Sequence, residues 1–99
     1  MEKKSYRMPY LMRRLRDRLS ESTATASCAV TVAINKHTGN IEVIPAKTNR
    51  DIIVGSVMKD IITFCSYHGL SFLIHAFVDN EGISEPRVVI YDPQSFKTK

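Results

Sequence analysis

The 99-residue chain predicts an α+β fold. It reads as a two-layer sandwich, a four-stranded antiparallel sheet of two β-hairpins with two helices on one face, in the order α-β-β-α-β-β. Three observations lead there. The apolar period is helical, then two, then helical again, then two. Each period-two stretch is split by turn residues and closes near a proline, Pro45 or Pro93. At 43% hydrophobic and 24% charged the composition is that of a globular protein with one modest core. The domain spans residues 9–93, after a basic flexible arm over 1–8 and before a frayed tail over 94–99.

The first helix is read from Pro9 to Ser20. Met8, Leu11, Met12, Leu15 and Leu19 recur at the spacing of one apolar stripe, with Arg13, Arg14, Arg16 and Arg18 on the other faces. Pro9 suits a first turn, where its missing N–H has no intrahelical partner. Ser20-Glu21-Ser22-Thr23 then reads as a polar connector. From Thr25, Cys28, Val30, Val32 and Ile34 alternate with Ala29, Thr31 and Ala33, the pattern of a strand with one buried face. A turn over residues 35–40 offers Gly39 for a positive φ, and Ile41 and Val43 resume the alternation up to Pro45.

Thr48 to Gly69 carries the clearest helical pattern. Thr48 and Asp51 suit its start and Gly69 its end. Val54, Val57, Met58, Ile61, Ile62 and Cys65 make its apolar stripe, opposite Arg50, Ser56, Lys59, Asp60, Thr63 and Ser66. The run from Phe72 to Val78 is too apolar for simple alternation and reads as a central strand with both faces covered. Asp79-Asn80-Glu81-Gly82 supplies a turn, and Val88 to Tyr91 returns before Asp92-Pro93.

Charge is unevenly placed. The first 18 residues carry Lys3, Lys4, Arg7, Arg13, Arg14, Arg16 and Arg18 against Glu2 and Asp17, a net +5. The remaining 81 hold seven basic and eight acidic side chains, a net −1. A focused cationic segment attracts an anionic partner, and arginine's planar fork suits phosphate. These seven basic residues are therefore the candidate contact to DNA or RNA, made without sequence preference, with Tyr6 and Tyr10 placed to stack on bases. A solvated outer helix face and an anionic membrane surface explain the same charges; the short stripe without Trp or Phe disfavours the membrane. The competing reading is a protein-interaction module (a homodimer, a complex subunit or an inhibitor) using the apolar second hairpin as a pairing edge.

Other chemistry is poorly supported by the sequence. Cys65 and His68 stand three apart, with Cys28 and His75 as conceivable partners, but zinc needs a second close pair. A Cys65–His75 nucleophile lacks an oxyanion hole or an orienting acid, and Asp79, Glu81 and Glu85 are ordinary turn acids. No glycine-rich phosphate loop is present, and no cofactor, small-molecule substrate or catalysis is inferred. The aromatic strand motif of RNA-recognition sheets and the glycine-bearing clamp loop of a second RNA-binding module are both missing. Cys28 and Cys65 read as reduced core thiols, and no run of about 20 apolar residues offers a membrane span, so the expected compartment is the cytoplasm.

Overall fold

The computed structural model describes residues 6–46, 53, 55–79 and 82–96, with the backbone alone for 76–79, 82–85, 95 and 96. Two helices and a four-stranded antiparallel sheet follow one another as α1 (Met8–Ala26), β1 (Val30–Ile34), β2 (Ile41–Pro45), α2 (Gly55–His68), β3 (Ser71–Asp79) and β4 (Gly82–Tyr91). The predicted element order holds, and the helices pack on the sheet as expected.

Helix α1 is longer than its apolar stripe indicates. The supposed connector over residues 20–23 is helical, because its hydroxyls bond back to the helix instead of opening it. Thr23 Oγ1 donates to the Leu19 carbonyl (2.8 Å) and Ser20 Oγ to that of Asp17 (2.7 Å). The helix ends where Ser27 turns left-handed (φ 52°) and the Cys28 N–H reaches the Thr23 carbonyl at 2.9 Å. Strand β1 accordingly begins at Val30, not Thr25. Helix α2 stops in the same way, with Gly69 at φ 67° and the Leu70 N–H on the Cys65 carbonyl (2.8 Å). Its expected start at Thr48 and Asp51, with Arg50 and Val54, lies outside the described residues.

The hairpin turn between β1 and β2 closes on Asn35. Its side-chain oxygen accepts from the His37 and Thr38 N–H groups (2.8 and 3.2 Å), and Gly39 takes φ 79°. Strand order is β1-β2-β4-β3. The apolar run of β3 is therefore an edge strand, which corrects its central placement: β4 turns back to pair with β2 and takes the inner position. Val88 and Ile90 of β4 are buried, whereas Ile74 of β3 is 70% exposed and Leu73 is exposed too. Strand β4 also runs from Gly82, well before Val88. It absorbs Pro86 by a register shift, which places one extra residue of β4 between the His75↔Arg87 and Phe77↔Ser84 pairs.

The core lies between this sheet and the two helices. Leu11, Leu15 and Leu19 of α1 and Val57, Ile61, Phe64 and Cys65 of α2 meet Val32, Ile41, Val43, Val88 and Ile90 of the strands. Ile62, assigned to the buried stripe, is exposed, and Phe64 takes its place. Helix α1 packs on β1 and on α2, and α2 reaches β3, so a groove runs between the helices. After β4, Pro93–Phe96 form a single 3-10 turn that overlaps the first residues of the expected tail.

Candidate functional site

The seven basic residues of the N-terminal segment meet different surroundings. Lys3 and Lys4 lie outside the described residues. Arg7 belongs to the folded body together with buried Met8, both of them in the stretch read as the arm. Its Nε and Nη2 donate to the two oxygens of Asp92, at 2.8 and 3.1 Å. That fork–fork pair holds the guanidinium above its ordinary pKa, the hydrogen bond to Asp92 being the main cause. Asp92 is only 4% exposed and also accepts from the Gln94 N–H (3.1 Å).

Arg16 points to the opposite flank of α1. Its Nη2 donates to the Val32 carbonyl at 2.9 Å and approaches Met12 Sδ at 3.2 Å. Asn35 bonds Asn40 and Ala46 bonds Ala29 across the hairpin, so by alternation Val32 and Val43 form a non-hydrogen-bonded pair. The Val32 carbonyl therefore points off the free edge of β1, and Arg16 satisfies it.

Arg13, Arg14 and Arg18 behave differently. All three are exposed, as Arg16 is, but among the described residues none donates to a carboxylate or to a backbone carbonyl of another element. Helical spacing explains the division. Arg7, Arg14 and Arg18 stand at i, i+7 and i+11, on the flank facing α2; Arg13 points outward, and Arg16 falls on the β1 side. The Arg14 guanidinium lies 5.8 Å from the centroid of the Tyr10 ring, a cation–π approach on a half-exposed tyrosine.

Arg14, Asp17 and Arg18 form one wall of the interhelical groove, and Thr63, Phe64, Tyr67 and His68 of α2 form the other. The groove encloses about 550 Å³. On the α2 wall the rings make a column. His68 packs tilted on Phe64 (centroids 4.4 Å apart), and Tyr67 meets His68 edge-on (4.9 Å, 87°). Phe64 is buried and anchors the column; Tyr67, 83% exposed, is its outer end. The His68 pKa is pushed down, first by burial and then by the positive charges of Arg7 and Arg14.

Three members of this arrangement escaped the sequence reading. Asp92 looked like a strand terminator. His68 reads from the sequence as a helix-end histidine beside a buried Cys65 thiol, or as a zinc ligand with it, and not as part of a groove. Tyr67 was not singled out, although it lies four residues after Thr63 on the polar face of α2, where an aromatic side chain is conspicuous. Among the described residues no group of three or more His, Cys, Asp or Glu side chains converges as a metal site. Cys28 and Cys65 are buried thiols, and burial pushes the Cys65 thiol up to about 11. No described helix is long and apolar enough to cross a membrane. Comparison with protein-family models, with curated proteins and with solved structures finds no match to this chain.

Proposed function

We propose that this protein is a small non-enzymatic domain that binds nucleic acid without sequence preference, through the solvent-facing arginines of α1 and the groove beside them. One observation carries the reading. Arg13, Arg14 and Arg18 are exposed on a rigid helix without an ion-pair partner among the described residues, so their charge is available to phosphates. Lys3 and Lys4 extend the basic footprint along the sequence. Arg7 adds to the local field, while its fork is held by Asp92. The high pKa of the Cys65 thiol argues against a nucleophilic role. The two buried thiols support a reducing, cytoplasmic setting.

The competing reading, a homodimer or other protein-interaction module, draws on exposed Leu73 and Ile74 of the β3 edge. A salt titration separates the two. The full chain should bind a labelled oligonucleotide with an affinity that falls steeply with salt. Replacing Arg13, Arg14 and Arg18 together by Gln should flatten the log–log slope by about 2 and leave the fold intact. An unchanged slope in that variant overturns the proposal, as does sedimentation showing assembly through β3 in a protein that retains no nucleic acid. Substitution is the suitable test, since deleting residues 1–19 would remove Met8, Leu11, Leu15 and Leu19 from the core.

A further inference from the structure

We infer that the interhelical groove is a single-strand site, in which Tyr67 carries one unstacked base while Arg14 and Arg18 hold the phosphates flanking it. The protein then prefers single-stranded nucleic acid to duplex. This inference rests on the proposed binding function and narrows it to a substrate class.

The aromatic wall supplies the first argument. A tyrosine 83% exposed on a helix offers an open ring face, and Tyr67 is not a loose one. Its edge contact with His68, which in turn packs tilted on buried Phe64, supports one side of the ring before any ligand arrives. A ring supported in this way loses less side-chain entropy when a base stacks on it. Any base presents a π-face, so such stacking is indifferent to sequence.

The second argument is the facing wall. Arg14 and Arg18 are one helical turn apart, and their Cβ atoms are about 6 Å from one another. They line the same groove as Tyr67, so charge and ring address one strand together. Among the described residues of this lining Asp17 is the one carboxylate, against Arg14 and Arg18. The downward push of Arg7 and Arg14 on His68 reports the same positive field from inside the groove. Tyr10, beneath the Arg14 guanidinium, offers a second partly exposed ring on the α1 side.

Duplex geometry does not suit this arrangement. In a paired helix the base faces are stacked inward, so a ring set in a groove beside two arginines meets only phosphate and sugar. A single strand presents phosphates and free base faces together. A groove of about 550 Å³ is within the range that holds a small organic group such as a nucleotide.

The test uses the full chain, a fluorescein-labelled oligothymidine, a hairpin duplex of equal charge, and inorganic polyphosphate as a competitor. Since the protein has no Trp, quenching of its intrinsic tyrosine fluorescence gives a second readout. We expect oligothymidine to bind at least about tenfold more tightly than the duplex and to quench tyrosine emission. Tyr67→Ala should lose about tenfold in single-strand affinity while duplex affinity is unchanged, and Tyr67→Phe should retain both. The Arg14→Gln/Arg18→Gln variant should weaken both ligands. Equal affinity for strand and duplex, or an unaffected Tyr67→Ala protein, overturns the single-strand inference and leaves the broader polyanion reading standing. Equal displacement of oligothymidine by polyphosphate from the unaltered protein and from Tyr67→Ala also overturns it, since stacking then contributes nothing. Failure to bind any of the three ligands overturns both.

Discussion

Arg14 and Arg16 stand two positions apart on one helix, yet their guanidinium groups meet different surroundings. Arg16 lies over the free edge of β1 and donates to the Val32 carbonyl, whereas Arg14 lies across from α2 beside an open groove. Arg7, on the α2 flank, is forked onto buried Asp92. The comparison shows that a net charge counted along a segment does not say which charges share a face: Asp92 counters Arg7, while Arg16 keeps its charge but is turned to the β1 edge. Arginine is the residue best suited both to bridging an element to its neighbours and to meeting phosphate, so composition does not separate the two uses. Position around the helix does.

The largest effects expected from breaking this division are on stability and concern the inner face of α1. Leu15 is fully buried, and Leu15→Ala should cost about 3 kcal/mol in urea unfolding. Arg13→Ala on the outer face should stay within about 0.5 kcal/mol. A loss at Arg13 comparable to that at Leu15 would contradict the assigned orientation of the helix.

Next in size is the bridge to the end of β4. Asp92→Ala removes the partner of the Arg7 fork and the acceptor of the Gln94 N–H. It should cost about 2 kcal/mol; Arg7, at 42% exposed, recovers part of its hydration and limits the loss. Arg16→Ala should cost about 1 kcal/mol or less, because the freed Val32 carbonyl at the sheet edge can be hydrated. Chemical denaturation of the two variants side by side checks the order, and a larger loss at Arg16 would reverse it.

A smaller effect is pH-dependent. His68 faces Arg14 and Arg18 of α1 and Arg7 just before it, with Asp17 across the groove, Tyr67 beside it, and Asp92 holding Arg7. Its folded pKa lies below the ordinary 6.5, so the unfolded chain binds its proton more readily. The stability associated with neutral His68 is therefore complete above that value and declines as the pH falls through the window beneath it. The urea midpoint should drop between neutral pH and about pH 5.5, and His68→Gln should shrink that drop. An unchanged drop in the variant would remove His68 from the account.

Much of the architecture was legible because it is local. Gly39 and Gly69 mark the two positive-φ stops expected of them, and the alternation of Val32, Ile41 and Val43 marks the buried sheet face. The length of α1 was not legible: Ser20 and Thr23 spend their hydroxyls on helical carbonyls, and a serine, not a glycine, takes the left-handed end. The edge position of β3 was hidden for another reason. Strand order is a choice among long-range pairings, and an apolar run does not reveal which neighbour it will receive.

The site divides along the same line. That a basic face exists on α1 follows from spacing alone. That Arg7 leaves it depends on Asp92, 85 positions away, and that Arg16 leaves it depends on where the β1 edge falls. Tyr67 joins the site only because α2 packs beside α1, which no local pattern announces.

The most direct measurement is the salt dependence of oligothymidine binding by three proteins: the unaltered chain, Arg14→Gln/Arg18→Gln, and Arg16→Gln. The account predicts that the double variant flattens the log–log slope by about 1.4, the share of two phosphates on a single strand, while Arg16→Gln leaves it unchanged. Equal flattening per arginine removed would mean that the segment acts as undifferentiated charge, contradicting a site built on the α2 flank of the helix.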